Sequence, residues 1–365
     1  MKKAKVIVGM SGGVDSSVSA YLLKKRGFDV VGVFIETWHP EGFPCSEKEE
    51  RRDAMRVSAH LDIPLYTVDA VKQYKKYVAD EMIHEYKSGR TPNPDILCNK
   101  FVKFETLFQI AKKLGADFVA TGHYARINIK NGEAVLSEPK DLEKDQTYFL
   151  WAVPNEKLEQ IIFPLENLKK GEARTIARSI GIPVADKKDS QGICFLGQLD
   201  LKKYLKLSIK EQKGKVLNEN GEIIGKHDGV WFYTEGERHG FSVKNKNTKN
   251  EPLYVLKKDV KKNILIVGPE KSLSREYRIK LSDTSLNLEV YENDRNRTQN
   301  NTKEINCEAR FRYRQSKQKV TLSKKGNSPA GEWFVSVKSS SPLAFGQSVV
   351  FYKGKDVIGG GILGQ

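Results

Sequence analysis

The chain has 365 residues, which is too long for one compact domain and enough for two or three. Its 62 lysines and arginines outnumber its 46 aspartates and glutamates, and the formal net charge of +16 predicts a polyanionic partner, most simply a nucleic acid. Four cysteines without a Cys-x-x-Cys pair argue against a zinc ribbon or a disulfide scaffold, and the lack of a signal peptide or membrane-spanning run predicts a cytoplasmic protein without a membrane partner.

The first predicted elements are a buried strand, a glycine-rich bend and a helix. Val6–Val8 is an apolar β-branched run, as in a parallel strand covered on both faces. Gly9–Gly13 bends the chain into a helix that Gly27 can end and whose apolar face contains Val14, Val18, Tyr21 and Leu22. This arrangement points several backbone N–H groups at one spot, which is typical of a phosphate site. A tight turn without a ligand is the alternative.

The residues of the bend indicate the kind of phosphate site. The bend contains neither Gly-Lys-Ser/Thr, as in kinases and GTPases, nor the Gly-x-Gly-x-x-Gly of dinucleotide-binding proteins. The stretch 11–16 instead resembles the pyrophosphatase loop of enzymes that split ATP between its α- and β-phosphates. The resemblance implies that Asp15 helps to bind Mg²⁺ and that pyrophosphate is held by Ser11, Gly12, Gly13 and Ser16.

Strands and helices alternate in the first half of the chain, which predicts a doubly wound parallel sheet of the α/β class. Further strands are predicted at Val30–Ile35, Leu65–Val68 and Phe118–Thr121. A capping box of Ser46 and Glu49 opens a helix that runs through Leu61.

Ligands of such sheets bind beyond the carboxyl ends of the strands, and several candidate residues lie at those ends. Gly9, Ile35 and Gly122 could surround one adenosine. His123 follows the same edge, where it is either a ligand-binding or a packed histidine. The predicted nucleotide-binding residues are Gly9, Met10, Ser11, Gly12, Gly13, Val14, Asp15, Ser16, Ile35 and Gly122.

The stretch 91–100 opens another helix and contains a cysteine. Asn93 can cap the helix, and Pro94 suits its first position. Cys98 lies one turn into the helix, where the helix N-terminus favours a reactive thiolate; a small buried cysteine is an equal alternative. The apolar stripe predicted for this helix is Leu97, Phe101, Phe104, Phe108 and Ala111.

A second cysteine motif lies further along the chain. Before it, Asn131-Gly132 marks a hairpin turn, 144–149 is a polar and then aromatic loop, and 171–181 is a short amphipathic helix. Cys194 follows Ser-Gln-Gly and has two lysines upstream. These surroundings are flexible and electropositive, as a nucleophilic thiol needs.

The pattern changes near Leu207, where the helical alternation stops. Asn-Gly and Asp-Gly turns separate short β-like runs such as 230–233, which predicts a small middle domain. The last segment contains predicted strands at 277–281, 333–337 and 348–352, and a small β-barrel is expected there. The predicted boundaries are 1–206 for a nucleotide-binding domain, 207–272 for the middle domain and 273–365 for the barrel.

Two charged stretches belong to the last segment. The stretch from Glu292 to Glu304 contains no apolar residue and is predicted to be a solvated loop. If 310–314 is a strand, its alternation puts Arg310, Arg312 and Arg314 on one face, which could grip phosphates and stack on bases. A solvated charged face is the alternative.

Together these motifs resemble those of the bacterial and organellar tRNA 2-thiouridylases, which replace the C2 oxygen of the wobble uridine by sulfur. The matching stretches are 9–16, 89–99, 120–124, 144–146, 189–195, 312–315 and 346–352, so the resemblance covers nearly the whole chain. The stretches 234–240 and 343–345 depart from the usual family sequence.

The resemblance implies a mechanism. ATP adenylates the C2 oxygen, a persulfide on Cys194 attacks C2, and Cys98 resolves the sulfur bridge, which leaves a Cys98–Cys194 disulfide that a reductant resets. Both cysteines would then lie on mobile segments over the ATP loop. The implied catalytic residues are Cys98, Cys194 and Asp95. The implied tRNA contacts are Asn93, Pro94 and Asp95 at the target base and His123, Lys144, Asp145, Gln146, Arg312, Tyr313 and Gln347 elsewhere.

The resemblance also implies the cofactors ATP and Mg²⁺ and two partners: tRNA with uridine at the wobble position, and a cysteine desulfurase or sulfur-carrier protein as persulfide donor. We expect a monomer, with Cys45 and Cys307 structural. Two alternatives stay open. A synthetase that amidates an activated acyl or base substrate would use the loop without the cysteine pair, and a non-catalytic RNA-binding protein would bind RNA without releasing AMP.

Overall fold

The computed structural model describes residues 3–188, 200–243, 251–288, 303–325 and 332–364. Its strands are β1 (Lys5–Gly9), β2 (Asp29–Glu36), β3 (Leu65–Asp69), β4 (Phe118–Ala120), β5 (Arg126–Lys130), β6 (Glu133–Ser137), β7 (Ile161–Ile162), β8 (Gly214–Leu217), β9 (Ile223–His227), β10 (Ser242–Val243), β11 (Tyr254–Asp259), β12 (Ile264–Gly268), β13 (Arg275–Leu286), β14 (Lys303–Arg310), β15 (Gln318–Lys325), β16 (Glu332–Ser339), β17 (Ser348–Lys353) and β18 (Asp356–Leu363).

The α-helices of the same ranges are α1 (Val14–Lys25), α2 (Glu47–His60), α3 (Val71–Tyr74), α4 (Glu81–Lys87), α5 (Pro94–Cys98), α6 (Phe104–Leu114), α7 (Lys170–Ser179) and α8 (Leu201–Lys206). Two π-helical turns, Lys75–Asp80 and Asn99–Lys103, join α3 to α4 and α5 to α6. Short 3₁₀ turns lie at Thr147–Phe149, Asn155–Gln160, Val230–Phe232 and Glu270–Leu273. No helix of these ranges has the length and apolar character that crossing a membrane requires.

The first sheet is parallel and has the order β3-β2-β1-β4-β7. Its central strand β1 alternates between two cores. Val6 and Val8 belong to the core that includes apolar residues of α1, α2 and α7, whereas Ile7 belongs to the core that includes α6. Because helices cover both faces, the predicted doubly wound α/β sheet is confirmed.

The middle sheet has the order β10-β9-β8-β12-β11 and one parallel pair, β8 with β12. The predicted β-like run 230–233 was wrong. Val230–Phe232 is a 3₁₀ turn, and the side chains of Val230 and Phe232 are buried in the core of this sheet. Two apolar residues two positions apart fit a strand equally well, so their alternation alone could not distinguish the two structures.

The C-terminal sheet contains a closed six-stranded barrel with the order β13-β16-β15-β14-β17-β18, in which β18 pairs back with β13. Inward-facing residues such as Leu322, Val335 and Val349 form its core. The predicted barrel is therefore confirmed.

The β5–β6 hairpin joins the barrel sheet although it lies in the first half of the chain. Asn131 and Gly132 form its turn with positive φ angles of 53° and 84°, as predicted. Ser137 of β6 pairs with Asp356 of β18, and its hydroxyl donates to the Asp356 carboxylate at 2.7 Å. The domain boundaries at 206 and 272 stay predictions, but one core includes both Ile7 and Val357.

Helix α2 agrees with its predicted range, but the predicted capping box does not form. The Ser46 hydroxyl donates to the Glu50 carboxylate at 2.8 Å, and no side-chain hydrogen bond caps the helix N-terminus. Ser46 has φ −94° and ψ 0°, whereas an N-cap side chain reaches the first-turn amides from an extended backbone.

The helix that carries Cys98 is α5, a π-helical turn and α6 in continuous succession. Four residues of its predicted apolar stripe face one core: Phe104 and Ala111 are buried in it, and the half-buried Leu97 and Phe108 pack against it. The half-buried Phe101 does not belong to that core. A π turn adds a residue to the turn and rotates the following helix, so a single 3.6-residue period does not describe its buried face.

The strand that would place the three arginines on one face does not continue beyond Arg310. β14 ends at Arg310, the next residues form a bend and a turn, and Arg314 has φ 62°. The three arginines therefore do not share one strand face. The solvated loop predicted from Glu292 to Glu304 was wrong at its last two residues, which begin β14. Residues 292–302 lie outside the described ranges.

Candidate functional site

Three parallel strands end at one edge of the first sheet, and the predicted nucleotide residues follow them. β1 ends at Gly9, β2 contains Ile35 near its end, and Gly122 lies two residues beyond β4. Gly122 packs against the start of α1, since a Cβ on it would lie 2.7 Å from the Ser16 amide nitrogen. The structure therefore brings Gly9, Ile35, Gly122 and the glycine loop together.

The glycine loop is held by its own serines. The Ser16 hydroxyl donates to the Gly13 carbonyl at 3.1 Å and accepts the Ser11 N–H at 3.2 Å. The Ser17 hydroxyl also donates to Gly13, at 2.7 Å. Gly13 is the N-cap of α1, so the first N–H groups of this helix, which lack helical partners, point out of the loop. Such a loop suits an anion.

Gly12 makes the loop possible in two ways. Its φ of +70° belongs to the left-handed region, and a Cβ there would collide with the Glu50 carbonyl oxygen. α2 therefore packs directly on the loop backbone.

Asp15 is engaged by a lysine. Lys170, the first residue of α7, donates to both carboxylate oxygens at 2.8 and 2.7 Å, and the Tyr124 hydroxyl donates to the first at 3.0 Å. The described residues contain no group of three or more His, Cys, Asp or Glu side chains that could hold a metal ion. The Asp15 carboxylate is thus paired with an ammonium group, and its part in binding Mg²⁺ stays a prediction.

A second lysine reaches the loop from the other side. The Lys187 ammonium donates to Asp53 at 2.7 Å and lies 3.4 Å from the Gly12 carbonyl oxygen. The sequence did not identify Lys170, Lys187 and Asp53 as loop neighbours. Lys187 was one of the two lysines noted upstream of Cys194, and the other two residues belong to no local motif.

Asn93 caps α5 as predicted. Its side-chain oxygen accepts the N–H groups of Asp95 at 3.2 Å and Ile96 at 3.4 Å, and Pro94 occupies the first helical position. Asn93, Pro94 and Asp95 are all half-buried, so part of each side chain is accessible to a ligand.

Cys98 is the last residue of α5 and is fully buried. It shares a core with Ile35 and Phe104. The residue sits in a packed helix, immediately before a π-helical turn, and the expected mobility of its segment stays a prediction. Cys194, the other predicted catalytic cysteine, lies outside the described residues.

His123 is packed among aromatic rings. Its ring stacks on Phe104 at 6.0 Å between centroids and meets Phe163 edge-on at 6.2 Å. Nδ1 bonds the Thr121 hydroxyl at 2.8 Å, and Nε2 lies 3.5 Å from the Lys103 ammonium. Burial, and next the Lys103 charge, hold the His123 pKa well below its usual value. The packed alternative describes this residue.

The predicted tRNA-binding loop 144–146 is tied to its surroundings. Gln146 accepts the Tyr124 N–H at 2.9 Å, and Lys144 is half-buried. Asp145 is buried: one oxygen accepts the Thr147 hydroxyl at 2.7 Å, and the other pairs with Arg310 of β14. The loop thus connects the nucleotide domain to the barrel.

The remaining predicted tRNA contacts lie at the junction with the barrel. Arg312 is exposed and donates to the Glu235 carbonyl at 3.2 Å, and the Tyr313 ring lies against Phe149 at 4.5 Å between centroids. Gln347 donates to the Thr91 carbonyl at 3.0 Å.

Three family profiles match the chain in succession. They are the tRNA methyl transferase HUP domain over residues 4–198, the tRNA methyl transferase PRC-barrel domain over 202–269 and the aminomethyltransferase β-barrel domain over 287–363. Together with the glycine loop at the edge of the parallel sheet, these matches define a HUP-domain protein that carries two β domains.

Curated relatives match over the full length. The tRNA-specific 2-thiouridylase of Geobacillus kaustophilus is 42% identical over 369 residues, which cover 100% of this chain and 96% of the relative. That of Bacillus subtilis is 41% identical over 363 residues, or 98% of this chain and 94% of the relative. The chain belongs to the family of tRNA-specific 2-thiouridylases. This confirms the resemblance and the predicted enzyme class, a tRNA sulfurtransferase.

Solved structures align only in part. A 4-thiouridine synthetase in complex with RNA and bound ATP aligns with a TM-score of 0.36 and 23% identity, covering 53% of this chain and 46% of that one. An NMN synthetase from Francisella tularensis aligns with a TM-score of 0.33 and 19% identity, covering 54% and 68%. Likeness of this extent supports no functional conclusion.

Proposed function

We propose that this chain is an ATP-dependent 2-thiouridylase that acts on the wobble uridine of tRNA. The observation that carries the proposal is that the glycine loop and the helix that contains Cys98 both pack against the first sheet. Cys98 belongs to the same core as Ile7 and Ile35, whose strands lead to the edge where the loop lies. An enzyme that activates a base with ATP and then transfers sulfur to it needs both groups in fixed relation.

The first step activates the base. Uridine C2 is a poor electrophile and its oxygen is a poor leaving group. The C2 oxygen attacks the α-phosphorus of ATP and pyrophosphate departs, so that the oxygen can later leave as AMP. The first N–H groups of α1 and the Ser11 hydroxyl would hold the departing pyrophosphate. Lys170 and Lys187, which are paired with Asp15 and Asp53, lie beside the same loop.

Mg²⁺ is proposed to arrive with ATP, bound by phosphate oxygens and water, as this ion prefers. It would neutralise charge on the pyrophosphate. The chain's own contribution is the two lysines, and Asp15 orients one of them.

The second step transfers sulfur. The terminal sulfur of a Cys194 persulfide attacks C2, and AMP leaves. The Cys98 thiolate then attacks the Cys194 sulfur, the bond to the transferred sulfur breaks, and its electron pair stays on the new 2-thiouridine. A thiol reductant reduces the resulting Cys98–Cys194 disulfide. Because Cys98 is fully buried, the proposal requires that tRNA binding opens its helix, and π-helical turns such as the one after Cys98 recur at functional sites.

The proposed target-base contacts are Asn93, Pro94 and Asp95, with Asp95 as the catalytic carboxylate. The base has to leave its stack to reach them. His123 and Asp145 are buried, so a role in tRNA binding would be indirect. The other proposed tRNA contacts, each exposed or half-buried, are Lys144, Gln146, Arg312, Tyr313 and Gln347.

The proposed sulfur donor is a cysteine desulfurase or a sulfur-carrier protein, because a persulfide must be loaded on Cys194 without free sulfide. The monomeric state and the cytoplasmic location stay predictions.

The proposal is tested with purified protein, ATP, wobble-uridine tRNA and a persulfide donor. We expect AMP, pyrophosphate and 2-thiouridine to form together, as measured by nucleoside mass spectrometry and AMP release. Cys98→Ser should lower 2-thiouridine formation about a hundredfold or more while ATP binding is kept, because the resolving thiol is lost. Cys45→Ser, an exposed cysteine outside every motif, is the matched control and should retain activity.

The two alternative functions predict other results. An amidating synthetase would keep its turnover in Cys98→Ser. A non-catalytic RNA-binding protein would bind tRNA with strong salt dependence and release no AMP. Either result would overturn the proposed function.

A further inference from the structure

We propose that Gln347 is a positioning residue that holds the Cys98 helix in place through Thr91, and that this role replaces the tRNA contact proposed for it above. The inference rests on the proposed function, since it concerns how that reaction is aligned. We call the three contacts made on Thr91 by Phe345, Gln347 and Thr234 the Thr91 clasp.

The Thr91 clasp uses every polar group of one residue. The Thr91 N–H donates to the Phe345 carbonyl at 2.8 Å, and the Thr91 carbonyl accepts the Gln347 side-chain amide at 3.0 Å. The Thr91 hydroxyl lies 3.1 Å from that of Thr234. Thr91 is 6% exposed, so water does not readily replace these partners. The barrel thus contributes two contacts and the middle domain one.

The barrel approaches this segment closely enough to require a glycine. Gly346 has φ +89°, and a Cβ on it would lie 2.8 Å from the Arg90 Cβ and 2.9 Å from the Thr91 amide nitrogen. The short turn between Phe345 and Gln347 is therefore fitted to the backbone of Arg90 and Thr91.

The residues before Thr91 are also fixed. A Cβ on Gly89 would collide with Val260 of the middle domain, which shows that the two residues are in close contact. Arg90 donates to Glu85 of α4 through Nε at 2.7 Å. The segment thus has little freedom to move by itself.

Two residues after Thr91, Asn93 caps the helix that ends at Cys98. A shift of the Thr91 backbone would therefore be transmitted to Asn93, Asp95 and Cys98. A displacement of about 1 Å in reacting groups can lower a rate about a hundredfold. Through the clasp, the barrel and the middle domain therefore determine where the Cys98 thiol lies.

Gln347→Met tests the clasp, because methionine keeps the length of the side chain but cannot donate to the Thr91 carbonyl. We expect kcat for 2-thiouridine formation at saturating tRNA and ATP to fall about tenfold, while the tRNA Kd changes less than about twofold. Gln318→Met, a glutamine at the start of β15, is the matched control and should leave both values unchanged. Thermal unfolding of all variants verifies that they fold.

Thr234→Val breaks the contact from the other domain and provides a second test if Gln347→Met does not fold. We expect this variant also to lower kcat while tRNA affinity is kept. The double variant should lose less than the sum of the single losses, because both contacts hold one residue, Thr91.

Other outcomes would overturn the clasp. A raised tRNA Kd with kcat unchanged at saturating tRNA would make Gln347 a simple tRNA contact, and unchanged kinetics would remove it from the reaction. If the unsubstituted protein forms no 2-thiouridine, both the proposed function and the clasp are wrong. If the unsubstituted protein is active and the clasp variants have the same kcat and tRNA Kd as Gln318→Met, only the clasp is wrong.

Discussion

The surroundings of His123 disfavour its charged form, which lowers its pKa. Its ring is buried between Phe104 and Phe163, and the Lys103 ammonium lies at Nε2. A neutral imidazole has one acceptor and one donor nitrogen, so Nε2 accepts from Lys103 and Nδ1–H donates to the Thr121 hydroxyl. The residue serves packing at the edge where the strands end.

The lowered pKa of His123 makes folding stability depend on pH. In the unfolded chain this histidine takes up a proton near its ordinary pKa of about 6.5, whereas the folded protein resists protonation. Its contribution is therefore complete above that pH and is lost as the pH falls below it. We expect the free energy of unfolding to drop with a slope of up to about 1.4 kcal/mol per pH unit from this group.

Urea unfolding of the unsubstituted protein and of His123→Gln between pH 5 and 7.5 measures this slope. The difference between the two curves should narrow as the pH falls, because glutamine does not titrate. Parallel curves would mean that the pKa of His123 is the same in the folded and the unfolded protein, which would contradict the lowered pKa.

At the residue scale, the sequence predicted which residues form the loop but not which residues face them. Ser11–Ser16 is a local motif, so it can be recognised without a fold. The partner of Asp15 is Lys170, 155 positions away, and nothing in the sequence near Lys170 distinguishes it from other lysines at helix starts. Contacts of this kind exist only once α7 has packed beside α1.

At the element scale, the strands of the first sheet were predictable because short, continuous β-branched runs favour buried strands. The composite helix around Cys98 was harder to predict. Its start is marked by Asn93 and Pro94, which act locally, but the π-helical turn at Asn99–Lys103 has no local signal. Phe101 of that turn stacks on Tyr77 of the other π-helical turn at 5.2 Å between centroids, so tertiary packing accompanies both irregularities.

The backbone shape of the glycine loop before α1 should determine how tightly ATP binds. Gly12→Ala should lower ATP affinity about tenfold or more, because the new Cβ collides with Glu50 and forces the phosphate loop out of shape. Isothermal titration with ATP measures the effect.

Gly115→Ala is the matched control. Gly115 ends α6 with φ +61°, and a Cβ on it would meet no other atom within 4 Å, so alanine should cost about 1 kcal/mol of stability and leave ATP affinity unchanged. Equal ATP affinity in the two variants would show that the shape of the Gly12 turn does not matter for nucleotide binding.

At the scale of the whole molecule, a buried ion cluster joins the first domain to the barrel. Arg310 of β14 pairs with Asp145 and, at 3.0 Å, with Glu138; Lys317 pairs with Glu138 at 2.8 Å. The side chains of Asp145 and Glu138 are 2% and 6% exposed. A buried charge is stable only while it is paired, because water cannot reach it to replace the lost partner.

Arg310→Met should destabilise the protein by about 3–5 kcal/mol, because it leaves Asp145 buried without its cation. Urea unfolding gives the value. Lys280→Met is the control: Lys280 pairs with Glu332 on the barrel surface, where both side chains are about half exposed, and its loss should cost less than about 1 kcal/mol. Similar losses in the two variants would contradict a structural role for the buried cluster.

The β5–β6 hairpin has a consequence for synthesis on the ribosome. The first domain leaves the exit tunnel early, yet its hairpin meets β18, and the core around Ile7 also contains Val350, Tyr352 and Val357. A nascent chain that ends near residue 206 therefore carries an unpaired strand edge and an incomplete interior. The final maturation of the nucleotide domain has to wait for the last strands to be translated.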